Sequence, residues 1–498
     1  MVPGCLKTSC GLPTLCLAVI AFLPVNVHVT AAQKPHILHV EVADAGWSDV
    51  GWNSPEFHTP YLDRLRGQGV ALPHFYSQPI GTASRIALLT GRYPYTMGFK
   101  SFRGMYFRYS NFSLPLEYKL LPEYLLETGY NTHLSGTWDM GFCSEDYLPQ
   151  RRGFETFYGS LKGFLNHYRH TPLATSGYDF WDGSEVDWTA QGKYSTTLFS
   201  DRAVNIVKEH SSRADDRPLY IFLSFDALHQ PIEAPAEFIE KCRDIEDSDR
   251  KIRCAMMAAV DDGIDKVITA FTEAEYFDDL LVIFHSSSGG PFNAGSRNYP
   301  YRGKKASVYE GGTRVPAFLY GKMLSGATET GTSFVGLLHI TDLFPTVLGA
   351  AGMPSSGLPN NLDGVDQWNQ LTSGGQSARR EMVYDVDIST GNGAVRKNKF
   401  KLVKFSEFAS KKCQGYFDFP VEEGKEKKKS CKEYELYNLD TDPAEERDLS
   451  ERKPTKLAQL KQQYEAAEAR AVPHVVFVNA TASFPENNDG VWQPYGCR

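Results

Sequence analysis

Residues able to do chemistry collect where apolar, strand-like runs of this chain stop. Ile37 to Val42 runs into Ala43-Asp44, and Leu219 to Phe225 ends near Asp226, with Leu228-His229-Gln230-Pro231 close behind. Leu280 to Phe284 empties into His285-Ser286-Ser287-Ser288-Gly289-Gly290. Ligand sites in open α/β sheets gather at the carboxyl ends of strands, so these ends mark where a site would form. Two other groupings have suitable residue types in an unsuitable setting. Asp261-Asp262 looks like a carboxylate pair, but helical periodicity puts it on a polar face, where solvation is expected. His36 and His39 lack cysteine or carboxylate partners at metal-ligand spacing and are expected to be ordinary surface or core histidines.

The elements that must position these residues alternate between strand-like and helix-like runs, the pattern of a large, mostly parallel sheet flanked by helices. Leu121 to Thr128 reads as a short helix stopped by Gly129. Phe199, Ala203, Ile206 and Val207 fall on one face of a helix from Ser195 to Lys208, and Met256, Val260, Ile264, Val267 and Phe271 mark a longer one. Composition changes near Ser373-Gly374-Gly375-Gln376-Ser377, which reads as a linker. Beyond it a smaller α+β domain is expected over 376–498, following an α/β domain over 33–375. Strand-like Met382 to Val386 and Lys401 to Phe405 precede a charged hairpin, and a helix carrying Leu457, Leu460 and Tyr464 follows Pro454. The charge run Lys425 to Lys429 reads as a solvated hairpin tip or a contact for sulfated or acidic glycan.

The chain has 498 residues, 42% of them hydrophobic and 22% charged, enough to bury a sizeable core. A formal net charge of -8 gives no reason to expect nucleic acid or an anionic membrane as partner. Lys7 precedes an apolar run from Leu15 to Leu23, and Val29-Thr30-Ala31-Ala32 offers a cleavage site, so residues 1–32 read as a secretory signal peptide. No later run approaches the length of a membrane span, so a secreted, extracellular protein is expected, with the lumen of the secretory pathway as the alternative. Three of the nine cysteines lie in that leader, leaving Cys143, Cys242, Cys254, Cys413, Cys431 and Cys497. Structural disulfides in an oxidising compartment follow. Sequence proximity favours Cys242 with Cys254 and Cys413 with Cys431, leaving Cys143 for Cys497. Asn111-Phe112-Ser113 and Asn479-Ala480-Thr481 are glycosylation sequons, at Asn111 and Asn479.

The segment Pro79-Ile80-Gly81-Thr82-Ala83-Ser84-Arg85-Ile86-Ala87-Leu88-Leu89-Thr90-Gly91-Arg92 resembles the signature of type I sulfatases, in which Cys-x-Pro-Ser-Arg precedes Leu-x-Thr-Gly-Arg. Further landmarks keep the family's order. They are Ala45-Gly46-Trp47-Ser48-Asp49-Val50-Gly51, Arg151-Arg152-Gly153-Phe154, Tyr301-Arg302-Gly303-Lys304-Lys305, Tyr309-Glu310-Gly311-Gly312 and Glu435-Leu436-Tyr437-Asn438-Leu439. The resemblance, nearest to arylsulfatase B-like members of the alkaline phosphatase superfamily, runs from about Pro35 to Val491. It implies the sulfatase fold, a large mixed and mostly parallel sheet with a smaller C-terminal domain packed on it. In that family the signature cysteine becomes formylglycine, whose hydrate attacks the sulfate ester. Here its position is Gly81, which has no side chain to oxidise or hydrate.

What the resemblance implies for metal and sulfate is also depleted. The family's calcium ligands fall on Ala43, Asp44, Ser287 and Ser288, so one of three carboxylates survives. Calcium takes six to eight oxygens, and removing two carboxylates at about 2.4 Å forfeits several kcal/mol of attraction even at an effective dielectric near 20. Glu41 and Asp139 are conceivable replacements, but strand alternation points Glu41 to the face opposite Asp44. The family's Lys-x-His pair falls on Thr137 and Asp139, where a lost cation and a gained carboxylate both disfavour sulfate. Asp44, Arg85, His229 and Lys305 match the family, the last two as sulfate contacts and Arg85 as a partner of the nucleophile. All four also have a structural reading: Arg85 in local hydrogen bonds, His229 and Lys305 filling an old cleft, Asp44 capping the next turn. Together they would leave a small positive cluster open to anions.

Thr82 is the one candidate to replace the nucleophile, and it sits one residue late. The expectation is therefore a secreted, catalytically inactive arylsulfatase-like protein with a binding or extracellular-matrix role. Its partners would be sulfated or acidic glycans or matrix proteins, with no cofactor. The alternative is a divergent arylsulfatase or phosphoesterase with rearranged metal ligands, which would need calcium.

Overall fold

In the computed structural model, ten strands join in one sheet around the His36–Val42 strand, whose seven residues are all buried. It lies parallel between Leu219–Phe225 and Leu280–Ser286, and parallel order continues through Asn131–Thr137 and Thr156–Ser160. Beyond Leu280–Ser286 the sheet turns antiparallel at Ala317–Tyr320, then reaches Val70–Ala71 and the edge strand Thr332–Ser333. Short antiparallel strands Trp181–Asp182 and Glu185–Val186 close the other edge. Central strands buried on both faces read as unbroken apolar runs, which is why the core strands stand out in the sequence. The structure describes residues 34–99, 111–172, 176–213, 215–324, 331–405, 432–475 and 478–496, and Lys34–Arg498 form one compact unit. The expected leader, Cys413, Cys431, Cys497 and Lys425 to Lys429 lie outside the described residues.

Helices Ser195–Ser212 and Ser248–Glu273 pack on each other, and the first also packs on strands Leu219–Phe225 and Asn131–Thr137. Gly81–Thr90 packs with Leu121–Glu127 and Ile340–Ala350. After the segment read as a linker, where Ser377 is buried and donates to the Leu337 carbonyl at 2.6 Å, comes a four-stranded antiparallel sheet. It runs in chain order through Glu381–Asp387, Asn392–Lys397, Phe400–Lys404 and Tyr434–Asn438. Helix Pro454–Glu468 covers it with Leu460 and Tyr464 against Val383, Val395, Leu402 and Leu436. Among the described residues, no helix is long and apolar enough to cross a membrane.

Two sequence expectations need correction. Asp261 is not solvated. It is 3% exposed and accepts from the Leu62 and Tyr61 amides at 2.8 and 3.3 Å, capping helix Pro60–Gln68. Helix Ser248–Glu273 packs against several neighbours, so its buried stripe is wider than an apolar pattern indicates, and burial pushes the Asp261 carboxyl up to about 7. Asp262 does face outward and pairs with Lys266 at 2.9 Å. The strand expected to reach Phe405 ends at Lys404, although the Phe405 amide still donates to the Glu433 carbonyl at 2.8 Å.

Cys242 and Cys254 are bonded, as sequence proximity favours. Cys143 is also disulfide-bonded, and a Cβ built on Gly496 would lie 3.6 Å from its Cβ, so the chain's end returns to that cysteine. Asn479 is exposed, and Asn111 pairs with Val478 in both directions, which sets the two sequons side by side. His36 and His39 are core residues. His39 Nε2 lies 2.9 Å from His285 Nε2, and burial lowers the basicity of both His39 and His285.

Candidate functional site

The segment read as a nucleophile signature forms helix Gly81–Thr90, entered from extended Ile80 with Gly81 as first residue. The Ser84 hydroxyl accepts from the Gln78 amide at 2.9 Å and fixes the entry loop. Gly81 faces Ser287: a Cβ built on the glycine would lie 3.0 Å from Ser287 Oγ and 3.6 Å from its Cβ. That hydroxyl belongs to a residue only 1% exposed and has no hydrogen-bond partner among the described residues. A first side-chain atom here would need Ser287 to give by a few tenths of an ångström, and the Ser287 hydroxyl is the atom it would meet.

One turn along the same helix, Arg85 is fully engaged. It donates through Nε and Nη2 to Glu41 Oε1, through Nη2 to Ser224 Oγ at 2.9 Å, and through Nη1 to the Trp138 carbonyl at 3.2 Å. Glu41 sits opposite Ser224 and His285 on the adjoining strands, so these side chains form one row on the face that the signature helix covers. The expectation that Glu41 points away from the site is therefore corrected. Asp44 lies beyond the strand, in a turn with φ of 57°, where strand alternation no longer sets direction. Asp139, also at positive φ, accepts from Thr82 Oγ1 at 2.5 Å and stands 3.9 Å from Arg85. Burial pushes its carboxyl up, against the pull of Arg85 and the Thr82 hydrogen bond. Thr137, the other changed position on that segment, is buried and accepts from Ser160 Oγ at 3.4 Å.

Across from the helix start, Asp44 gathers the other matching residues. Lys305 Nζ donates to Oδ2 at 2.7 Å, His229 Nε2 lies 3.7 Å from the same oxygen, and Ser288 Oγ donates to Oδ1 at 3.2 Å. Burial raises the Asp44 carboxyl, but Lys305, His229 and Arg253 together outweigh it and hold it below the ordinary carboxylate range. His229 is lowered to about 4 by burial and by Lys305, and its Nδ1 lies 2.7 Å from the Gln230 carbonyl. The structure thus brings Gly81, Thr82, Arg85, Asp44, His229, Lys305, Ser287 and Ser288 into one cleft.

Asp44 is no turn cap; both its oxygens are committed inside the cleft. A calcium ion does not fit this donor set. The one carboxylate in the inherited ligand positions holds an ammonium where the metal would compete, and its neighbours are hydroxyls. Among the described residues, no group of three or more His, Cys, Asp and Glu side chains is placed to hold a metal. The expected positive cluster is corrected too. Arg85 and Lys305 are met by Glu41, Asp44 and Asp139, and His229 is neutral at pH 7, so carboxylates outnumber cations.

Three supports of the cleft went unread in the sequence. Asp49, fully buried, accepts from Arg250 at 2.9 Å, Arg253 at 3.0 Å, Ser296 Oγ at 2.6 Å and the amides of Gly46 and Arg297. Only its place in the Ala45–Gly51 segment hinted at this, since its partners lie some 200 positions away. Behind His229, His167 contacts Asp226 and Ser195, each at 3.2 Å through Nδ1, and its Nε2 lies 3.0 Å from the His229 carbonyl. His167 is raised overall, because Asp226 and the His229 carbonyl overcome burial. Ser195 Oγ also donates to Asp226 Oδ1 at 2.9 Å, so the three side chains and the His229 carbonyl tie the loop in place. Lys162 stands 3.3 Å above the Trp492 ring, and burial lowers it to about 8.

Comparison with known proteins gives a consistent set of likenesses. A model of the family described as Sulfatase matches residues 35–353. The chain is 30% identical to mouse Arylsulfatase J over 493 residues, covering 93% of this chain and 80% of that protein. It is 29% identical to human Arylsulfatase A over 458 residues, covering 84% of each. Among solved structures, Ps i-CgsB in complex with k-i-k-neocarrahexaose superposes with a TM-score of 0.75 at 26% identity, covering 89% of this chain and 94% of that one.

Proposed function

The chain belongs to the sulfatase family, whose members are sulfuric ester hydrolases, and from that premise we propose that this member binds glycan without hydrolysing sulfate esters. The observation that carries the reading is the state of the cleft around Gly81. The nucleophile is missing, and each charged group that would serve it is closed into a pair: Arg85 with Glu41, Lys305 with Asp44. Transition-state stabilisation needs donors aimed at the transferring group, and these donors are already spent on carboxylates. The relative solved with a carrahexaose supports glycan as the class of partner. The N-terminal apolar run, the even cysteines and the sequons support an extracellular, glycosylated protein with a binding or matrix role.

A second reading rests on one hydrogen bond. Thr82 Oγ1 donates to Asp139 Oδ2 at 2.5 Å, the geometry of a hydroxyl nucleophile and its base, so a divergent esterase using Thr82 is the competing class. Turnover of 4-methylumbelliferyl sulfate and phosphate by the purified protein separates the two. No turnover, and no calcium retained after dialysis, is expected. Gly81→Cys, even when processed to formylglycine, is expected to stay inactive. Turnover that disappears in Thr82→Val would overturn the proposal in favour of the esterase.

A further inference from the structure

Beside the former nucleophile cleft, the loop from Phe292 to Gly303 and the first turn of helix Ser248–Glu273 enclose a cavity of about 520 Å³. That volume falls within the ~300–1,000 Å³ of small-ligand clefts. We propose that it is a sugar-binding subsite, taking an uncharged pyranose unit of the glycan. The inference rests on the glycan-binding reading above and names where, and with what chemistry, the sugar is held.

The floor of the cavity is rigid. Asp49 ties the loop down through Ser296 Oγ and the Arg297 amide, and Arg250 donates to the Gly295 carbonyl at 3.0 Å. Asn298 spans the loop's two ends, accepting from the Gly290 amide and donating to the Gly290 and Gly303 carbonyls. Fixed on this base, Tyr299 is 70% exposed, the largest exposure of any large apolar side chain in the loop, although Ser48 Oγ pins its carbonyl at 2.7 Å. Phe292 and Tyr301 are half-buried beside it, Tyr301 resting edge-on against Trp47 at 4.9 Å. The fixed loop thus holds one aromatic ring out at the cavity's rim, with two more beside it. An aromatic face suits the apolar C–H side of a sugar ring, and Tyr loses little conformational entropy on contact.

The polar lining fits hydroxyls better than sulfate. Exposed Asn293, Asp247 and Asp249 offer an amide and carboxylates. The two arginines of the lining are committed, Arg250 to Asp49 and Glu56, and Arg297 to Glu56. The cations at the rim, half-exposed Arg297 and Lys304 over the Phe292 ring at 5.2 Å, face the carboxylates of Glu56, Asp247 and Asp249, which disfavours an anionic group. The subsite also leads into the old cleft. Asn293 Nδ2 donates to Gln230 Oε1 at 3.4 Å, next to His229, and the loop continues through Gly303 to Lys305. A glycan seated on Tyr299 can therefore extend over the dismantled cleft without relying on it.

The test is calorimetric titration of the full chain with cellohexaose, chitohexaose and a heparin hexasaccharide, at low and at high salt. An uncharged hexasaccharide is expected to bind with little salt dependence. Tyr299→Ala should weaken it about tenfold, the size of one lost aromatic contact, while Tyr299→Phe retains it and the melting temperature of both stays at the wild-type value. Binding confined to the heparin fragment and abolished by salt would overturn this subsite and leave the glycan-binding reading standing. So would binding of an uncharged sugar that Tyr299→Ala leaves unchanged. No binding of any of the three by protein with native circular dichroism would overturn both.

Discussion

Two of the molecule's buried polar centres differ in how completely their groups are partnered. At the junction of the large and small sheets, Glu310 accepts from Tyr76 OH at 2.7 Å, from Tyr384 OH at 2.9 Å and from Lys401 at 3.0 Å. Lys401 also reaches Glu445 at 2.8 Å, while Glu445 accepts from the Glu310 amide at 2.7 Å. Arg302 bonds Tyr437 and the Glu445 carbonyl beside them. In the Gly81 cleft Arg85 and Asp44 also have several partners each, but Ser287 Oγ and Glu41 Oε2 have no hydrogen-bond partner among the described residues. At the junction Glu445 Oε1 likewise accepts no hydrogen bond among them, yet it still meets the Lys401 ammonium at 2.8 Å. A low-dielectric interior penalises any unsatisfied member, so a centre kept for stability ends up densely cross-linked. On the proposed reading, a cleft whose groups were placed for a reacting molecule is left with loose ends. The contrast would then separate residues that hold the fold from residues left by a function.

The hardest blow to this contrast would be a junction that tolerates truncation. Lys401 is fully buried between two carboxylates, and Lys401→Met removes the ammonium they share, leaving Glu310 only Arg314 at 3.7 Å as ion-pair partner among the described residues. The expected loss is about 3–5 kcal/mol in unfolding free energy, read by urea titration at pH 7. Adding Glu445→Gln to Lys401→Met should change little further, because without the ammonium that lowers it the Glu445 carboxyl already carries its proton at pH 7. A loss below ~1 kcal/mol would mean the junction is no better knit than the cleft.

The two centres should also answer pH with opposite sign. Burial raises the Glu445 carboxyl to about 7, so its proton favours the folded state. The stability it contributes is full below the unfolded value near 4.5 and is lost as pH rises to about 7. Burial and Lys305 lower His229 to about 4, so its contribution is present above the unfolded value of 6.5 and is lost as pH falls toward 4. Relative to Glu445→Gln, wild type should lose stability between pH 4.5 and 7. Relative to His229→Gln, it should gain over nearly the same range. Each change is bounded by about 3 kcal/mol, since a displacement of the titration by one pH unit corresponds to ~1.36 kcal/mol. Slopes of the same sign would break the distinction.

How much of this can be read from the sequence divides along the same line. The core strands and long helices are legible, because apolar runs and helical spacing are local signals. So is the loss at Gly81, Ala43, Ser287 and Ser288, since it concerns which residue types stand in an ordered set of motifs. The pairings are not. Glu41 with Arg85 spans 44 positions, Lys305 with Asp44 spans 261, and Lys401 with Glu310 spans 91, and only folding brings them together. Strand alternation misdirects Glu41 because Asp44 lies in a left-handed turn, past the reach of that rule. Helical periodicity misplaces Asp261 because a long helix can be buried along a wider stripe than its apolar residues mark.

Lys305 offers a sharper comparison with Lys401, one lysine to another. Its side chain is 19% exposed, and Asp44 would keep Ser288 as donor if the lysine were removed. Lys305→Met is therefore expected to lose about 1–3 kcal/mol, the size of one hydrogen bond to a buried charge and less than the loss at Lys401. The accompanying signature is local. With its cationic neighbour gone and Asp44 still ionised, His229 should titrate well above its value of about 4, followed by the ring-proton shifts in NMR. A large stability loss with no movement of His229 would place Lys305 among the residues that hold the fold.

The smallest effect concerns the glycines of the two centres. A Cβ on Gly312, in the Tyr309-Glu310-Gly311-Gly312 segment of the junction, would lie 2.1 Å from the Ser307 carbonyl oxygen, and the backbone there cannot yield. A Cβ on Gly81 would meet only the Ser287 side chain, its hydroxyl at 3.0 Å. At a first helical position with compatible φ, Gly→Ala stabilises by about 0.4–1 kcal/mol through the unfolded chain. The contact with Ser287 offsets part of that. Ser287→Ala removes both the crowding and a buried hydroxyl without a hydrogen-bond partner among the described residues, so by itself it should be neutral or stabilising by up to ~1 kcal/mol. The double variant Gly81→Ala, Ser287→Ala should then exceed the sum of the single ones, a positive coupling of roughly a few tenths of a kcal/mol measurable by a double-mutant cycle. Gly312→Ala should destabilise. If Gly81→Ala were as damaging as Gly312→Ala, the space opposite Ser287 would still be serving a task that forbids a side chain, and the cleft could not be a relic.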